Sequence, residues 1–163
     1  MQAYVEELLS YVERARKSDV PMVVVTGSPG SGKSYVLRSV ADLKKWKYVD
    51  CRTLIAEELI ELLPNMRAEK APAIMSEILD KYEAEAFLLD RVQTFFTPVL
   101  KLNPLELLRK LSKKHLLIVA WPGYFEDGSL YFVRPDEQEP LKFDARDIIV
   151  WSVDKYKEEI QSC

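Results

Sequence analysis

The feature that most constrains this chain is a glycine-rich segment placed between a predicted strand and a predicted helix. The apolar run at 23–25 predicts a buried strand, and residues 34–43 predict a helix. The segment between them fits the pattern G-x-x-x-x-G-K-[ST] at all four fixed positions, as Gly27-Ser28-Pro29-Gly30-Ser31-Gly32-Lys33-Ser34. A strand, a glycine-rich turn and a helix form the local structure that this phosphate-binding loop (P-loop) requires.

Each fixed residue of the P-loop has a chemical reason. Glycine opens left-handed backbone conformations and lets the chain approach a ligand closely. The inward N–H groups and the helix N-terminus attract anions. We expect Lys33 to reach the β- and γ-phosphates, the Ser34 hydroxyl to bind Mg²⁺, and Tyr35 to complete the binding set. The loop therefore predicts a site for ATP with Mg²⁺. A plain glycine turn without ligand is the alternative, but such a turn requires neither Lys33 nor Ser34.

Composition narrows the class of protein. With 163 residues, of which 48% are hydrophobic, the chain can bury the core of one domain. A net charge of -3 disfavours nucleic acid as a partner, although a local basic face stays open. The sequence has neither a signal peptide at its start nor the roughly 20-residue apolar run that spans a bilayer, so no membrane partner is expected. Cys51 and Cys163 are expected to be reduced, which points to the cytoplasm.

Strands that alternate with helices predict the rest of the fold. Further strands are predicted over 47–49, 86–90, 116–120 and 148–151, and helices over 3–17, 53–63, 72–82 and from Asn103 to Lys114. This alternation predicts an α/β P-loop NTPase sandwich of three layers around a mainly parallel sheet of about five strands. The expected parts are an N-terminal amphipathic helix (1–18), the P-loop core (19–155) and a C-terminal tail (156–163), with no lid domain.

A second acid is expected to help hold the metal. P-loop enzymes place an acid at the end of a neighbouring strand, and Asp90 ends the most apolar strand after the loop. Asp50, which ends the shorter strand at 47–49, is the competitor. Asp90 would put the chain in the branch with an additional strand, typical of ATPases, whereas Asp50 would resemble a small kinase.

The groups that would attack the γ-phosphate are incomplete. Arg91 stands directly after Asp90, where many ATPases of this branch have Glu. Gln93 could orient the attacking water without acting as a base. The strand at 116–120 ends in Trp121 and not in a polar sensor residue. A neighbouring subunit could supply an arginine finger, for which Arg109 is the first candidate and Arg91, Arg134 and Arg146 are others. The alternative for Arg109 is an ordinary solvated basic helix end.

Two aromatic runs flank Asp127-Gly128 and predict a β-hairpin over 124–132. Two extra strands packed on the edge of the sheet are the favoured interpretation. A partner surface and a platform for stacking nucleic-acid bases are the alternatives.

The order of these motifs resembles one specific family. The P-loop, the strand Phe87-Leu88-Leu89-Asp90 and the segment from Asn103-Pro104-Leu105 to Ala120-Trp121-Pro122-Gly123 are similar to the BrxF family, the small P-loop ATPases of BREX bacteriophage-exclusion systems. The similarity covers most of residues 20–135. It implies a stand-alone ATPase subunit that works with a methyltransferase and other defence-system proteins. It also implies an acid where this chain has Gln93, and this departure weakens the expectation of hydrolysis but not that of binding.

The expected function is therefore an ATP-binding subunit with slow or partner-dependent hydrolysis. Without a lid, part of the nucleotide would lie at a subunit interface, so nucleotide is expected to promote homo-oligomer formation. An ATP-dependent interaction switch with negligible hydrolysis is one alternative. The other is a small-molecule or nucleotide kinase, in which Asp50 and Arg52 hold the acceptor and Arg134 or Arg146 serves a lid.

Overall fold

The computed structural model of the chain describes residues 1–54, 70–98 and 101–162. The helices in these residues are α1 (Ala3–Arg16), α2 (Lys33–Lys44), α3 (Cys51–Leu54), α4 (Ala71–Leu79), α5 (Pro104–Ser112) and α6 (Lys157–Gln161). The strands are β1 (Met22–Thr26), β2 (Lys47–Asp50), β3 (Ala86–Asp90), β4 (Leu116–Ala120), β5 (Tyr124–Glu126), β6 (Ser129–Phe132), β7 (Leu141–Asp144) and β8 (Ile149–Ser152). Short 3-10 helices cover Val92–Phe96 and Asp154–Tyr156.

Five parallel strands form the central sheet, in the order β2-β3-β4-β1-β8. The α/β fold class predicted from the sequence is confirmed, including the number of strands. β4 lies between β1, which leads into the P-loop, and β3, which ends in Asp90. The sheet therefore has the additional strand that the sequence associated with the ATPase branch.

Side chains alternate between the two faces of the sheet, because successive residues of a strand point in opposite directions. In β1, Met22 and Val24 join one hydrophobic cluster, and Val23 and Val25 join the other. The first cluster packs under α4, α5 and the second sheet, and the other packs under α1, α2 and α6. Strands buried on both faces read as continuous apolar runs, which is why the sequence could identify them.

The predicted helix start at Asn103 is confirmed. Its side chain accepts a hydrogen bond from the Glu106 N–H at 3.2 Å, and Pro104 occupies the first turn. The other predicted strands and helices agree with the structure to within one to three residues. The helix predicted over 53–63 overlaps α3 only at its first two residues, and the rest of it lies outside the described residues.

The predicted hairpin forms, but it is not an extension of the central sheet. β5 and β6 pair antiparallel, and Asp127 and Gly128 between them both have positive φ (49° and 79°), as a type I′ turn requires. The predicted packing of the hairpin on the edge of the central sheet is wrong. β7 pairs with β6 and completes a separate three-stranded sheet. Buried Leu130 and Phe132 anchor this second sheet on the core, which places it over a face of the central sheet.

Candidate nucleotide-binding site

The P-loop leaves β1 at Thr26 and enters α2 at Lys33. Gly30 and Gly32 have φ of 74° and 103°, in the left-handed region that favours glycine. Gly32 is required for a second reason, since a Cβ there would lie 2.4 Å from Cγ2 of Ile160 on α6. Glycine at position 32 therefore permits both the backbone turn of the loop and its close contact with the C-terminal helix.

The side chain of Lys33 is tied to the loop itself. Its Nζ donates a hydrogen bond to the Gly27 carbonyl oxygen at 2.8 Å. Burial lowers the pKa of the Lys33 ammonium from its ordinary value, while the negative charges of Asp154 and Asp90 act in the opposite direction. Those two carboxylates help to keep a half-buried cation charged at the position where phosphate is expected.

A cavity of about 410 Å³ joins the P-loop to the end of β3. It brings together most of the site residues that the sequence singled out, namely Pro29, Gly30, Ser31, Gly32, Lys33, Ser34, Tyr35, Asp90 and Gln93. Gly27 and Ser28 line an adjoining cavity of about 690 Å³, which shares Lys33 with the first and continues to Tyr124 and Phe125.

Asp90 is a buried acid with two fixed hydrogen bonds. It is 3% exposed, its Oδ1 accepts from the Arg91 N–H at 2.9 Å, and its Oδ2 accepts from the Tyr48 hydroxyl at 2.5 Å. Burial, followed by the hydrogen bond to Asp90, raises the pKa of Tyr48 to about 12. The tyrosine therefore stays protonated at physiological pH and orients the carboxylate. The sequence did not single out Tyr48, because no local pattern indicates that β2 and β3 are neighbours.

The competing acid, Asp50, is engaged elsewhere. Its carboxylate binds the guanidinium of Arg52 at 2.8 and 3.2 Å, and it lines a different cavity, of about 280 Å³, beside Tyr82. The structure thus brings Asp90, and not Asp50, to the P-loop cavity.

The arginines proposed as fingers have different surroundings. Arg109 binds Glu106, the Asp147 carboxylate (3.1 and 2.9 Å) and the Asp144 carbonyl oxygen. Arg134 pairs with Glu137, and Arg146 pairs with Asp144. Arg91 differs from these three, because it lines the P-loop cavity itself.

Two residues near the C-terminus contact the loop: Asp154, at the end of the predicted core, and Gln161, in the predicted tail. Asp154 Oδ1 accepts hydrogen bonds from the Ser28 N–H at 2.9 Å and from its hydroxyl at 3.0 Å. Gln161 Nε2 donates to the Gly30 carbonyl oxygen at 2.9 Å. These contacts span more than 120 residues of sequence, so no local pattern could have indicated them.

The residues present fit a triphosphate with a hard cation. Lys33, the loop N–H groups and the N-terminus of α2 are anion donors, while the Ser34 hydroxyl and Asp90 are oxygen ligands of the kind that Mg²⁺ prefers. Two further polar atoms beside this donor set are buried without a hydrogen-bond partner among the described residues, Oγ of Ser31 and Nε of Arg91. Such atoms are the ones that a bound anion would satisfy.

The sheet order, the P-loop and the cavity define a P-loop NTPase. The family model described as AAA ATPase domain matches residues 2–119, which is well over half of the chain. The chain therefore belongs to the AAA ATPase domain family, whose members generally bind ATP with Mg²⁺. No protein of curated function matches it significantly. In the described residues, no helix combines the length and the apolarity that crossing a membrane requires.

Proposed function

We propose that this protein binds Mg·ATP and hydrolyses it slowly, as a cytoplasmic subunit of a multi-protein phage-defence system of the BREX type. The single observation that carries the ATPase proposal is the cavity that joins a complete P-loop to the buried acid Asp90. The order of motifs that resembles the BrxF family supports the defence role. The methyltransferase and other system proteins are then the proposed partners, and capture of those proteins by the tagged chain tests this part.

The roles follow from the donor set. The P-loop N–H groups and Lys33 would bind the phosphates, and Ser34 and Asp90 would hold Mg²⁺. The metal supplies charge neutralisation between the β- and γ-phosphates. Tyr35, 44% exposed at the mouth of the cavity, would contact the nucleotide beyond the phosphates.

Slow hydrolysis follows from the missing base. Asp90 is the only carboxylate among the described residues that line the cavity, and it is assigned to the metal. Gln93, which lies on the 3-10 helix after β3, can orient a water molecule but cannot remove its proton. Arg109, supplied by a neighbouring subunit, is the proposed stimulating group, and it would have to leave its contacts with Asp147 and Asp144.

Phosphate release without an added acceptor tests the proposal. We expect slow Mg²⁺-dependent release from the wild type and a gain of about tenfold or more in Gln93→Glu, which restores a carboxylate near the cavity. Gln138→Glu, at an exposed position outside the cavity, is the matched control and should not change the rate. Turnover that depends on a small-molecule acceptor would instead establish the kinase alternative.

A switch with negligible hydrolysis is the second candidate, and the position of Arg91 favours it. A guanidinium strengthens the binding of phosphate but cannot activate water. Saturable ATP binding with no measurable turnover in wild type and in Gln93→Glu, even with partners present, would favour the switch over the ATPase.

Self-association through the nucleotide site completes the proposal. Tyr124 and Phe125 are 44% and 41% exposed and line the cavity that adjoins Lys33, so a second copy of the chain seated there would also cover the phosphates. Light scattering should show a larger particle with Mg·AMPPNP than without it. Phe125→Ser should abolish this increase, whereas Leu43→Ser, at a 50% exposed position on α2, should not. A monomer under all conditions would refute this part.

A further inference from the structure

Arg91 combines three features that no other arginine of the described chain shares. The first is its place. It follows Asp90 at the carboxyl end of β3, and it lines the same cavity as Lys33, Ser34 and Gln93. The γ-phosphate end of a nucleotide is the end expected beside the acid that holds the metal. Arg91 is therefore placed at the reacting end of the site.

The second feature is the backbone. Arg91 has φ of 59° and ψ of 39°, in the left-handed region that residues other than glycine seldom adopt. Two hydrogen bonds hold this conformation. The Arg91 N–H donates to Asp90 Oδ1, and the Thr94 hydroxyl donates to the Arg91 carbonyl oxygen at 3.2 Å. The 3-10 helix that follows is anchored by buried Val92, Phe95 and Phe96. Glycine would adopt this backbone conformation without strain, whereas arginine adopts it at a cost in free energy. The backbone alone would therefore favour glycine at position 91.

The third feature is the guanidinium. Nε of Arg91 is buried, and no atom of the described residues accepts a hydrogen bond from it. By contrast, Arg52, Arg109 and Arg146 each pair with a carboxylate. A buried donor without an acceptor is costly unless a ligand supplies one, and phosphate oxygens match the planar guanidinium.

We propose that Arg91 binds the γ-phosphate of the nucleotide on its own chain and thereby discriminates ATP from ADP. The inference rests on the proposed nucleotide binding. A neighbouring subunit is not needed for this contact, which distinguishes Arg91 from an arginine finger. The same charge that strengthens ATP binding occupies the place of the missing base, so tight binding of ATP and slow hydrolysis have one cause.

Equilibrium binding of Mg·AMPPNP and Mg·ADP, measured by calorimetry, tests the proposal. Arg91→Gln should weaken AMPPNP binding by about 10- to 100-fold, the range for loss of a charge-assisted hydrogen bond, and leave ADP binding within about twofold. Arg91→Lys should fall between the wild type and Arg91→Gln, because it keeps the charge but not the planar fork. Arg16→Gln, at an exposed pair with Glu13 on α1, is the matched control and should bind both nucleotides as the wild type does.

Arg91→Gly separates binding from folding. Because glycine adopts positive φ without strain, this variant should unfold at or above the wild-type temperature without nucleotide, and it should still lose the preference for AMPPNP. If wild type binds both nucleotides, Lys33→Ala abolishes both, and Arg91→Gln keeps the wild-type ratio of affinities, the role of Arg91 is refuted while the proposed function stands. An equal loss for AMPPNP and ADP also refutes it. A wild type that binds neither nucleotide refutes both.

Discussion

Removing the hydroxyl of Tyr48 tests how the buried acid at the end of β3 is held. The hydroxyl donates to Asp90 Oδ2 at 2.5 Å, and Tyr48→Phe deletes only that oxygen atom. The ring remains, and so does the guanidinium of Arg38, which lies 5.3 Å from its centroid. The substitution therefore removes the hydrogen bond to the Asp90 carboxylate and the interaction of the hydroxyl with Arg38, and it keeps the ring in place.

The magnitude follows from the burial of the two partners. A hydrogen bond to a charged group contributes about 1.5–3 kcal/mol. Asp90 is 3% exposed, so its oxygen is poorly placed to find water, but Tyr48 is only partly buried, which lets water enter the space that the hydroxyl leaves. We therefore expect Tyr48→Phe to lower the free energy of unfolding by about 1.5–2 kcal/mol. The affinity for Mg²⁺ in the nucleotide complex should fall by about tenfold, as for other residues that orient a metal ligand.

Urea denaturation and a Mg²⁺ titration of nucleotide binding measure the two effects. Tyr82→Phe is the matched control, because the Tyr82 ring contacts Lys47 and its hydroxyl makes no hydrogen bond to a described residue. If Tyr48→Phe unfolds like the wild type and keeps the same Mg²⁺ dependence, Tyr48 does not orient Asp90 and the reasoning fails.

Three further predictions concern pH, an ion-pair network and the loop. The pKa of Tyr48 rises from 10.0 in the unfolded chain to about 12 in the fold, so its stabilising effect is complete below pH 10. As pH increases from 10 to 12, the stability gap between wild type and Tyr48→Phe in urea should narrow, and a constant gap would contradict the assignment. Arg109→Gln should lower the free energy of unfolding by about 1–3 kcal/mol, because the Arg109 side chain, which is 20% exposed, joins α5 to Asp147. Calorimetry should show an unchanged nucleotide affinity in the monomer, and a loss of affinity would place Arg109 in the nucleotide site of its own chain. Asp154→Ala should weaken Mg·AMPPNP binding several-fold by releasing Ser28, with less than about 1 kcal/mol lost in urea denaturation because the contact is exposed; equal affinity would show that the loop needs no such support.

The sequence predicted those parts of the fold that depend on local signals. Apolar runs buried on both faces identified the strands of the central sheet, and the N-cap at Asn103 identified the start of α5. The P-loop was predictable because each of its fixed residues meets a local need for a particular backbone conformation or for a charge. Gly32, for example, has a φ of 103° that favours glycine. β7 also has a local signal in the sequence, the alternation of apolar and polar residues in Leu141–Asp144.

The rest of the site depends on contacts between distant segments. The bond from the Ser28 N–H to Asp154 joins residues 126 positions apart, and the bond from Tyr48 to Asp90 requires β2 and β3 to be neighbours. Likewise, the sequence alone did not show that Asp90 lines the P-loop cavity and that Asp50 lines a different one. Such contacts depend on strand order and register, which cannot be deduced from a single sequence.

The central claim is that the P-loop and Lys33 hold the phosphates of ATP, and one calorimetric titration tests it most directly. Wild-type protein titrated with Mg·AMPPNP should bind one nucleotide per chain. Lys33→Ala, which removes the ammonium that contacts the Gly27 carbonyl, should weaken binding by about 100-fold or abolish it while the circular dichroism spectrum stays that of the wild type. A folded wild type that binds no nucleotide, or a Lys33→Ala variant that binds equally well, would contradict the account.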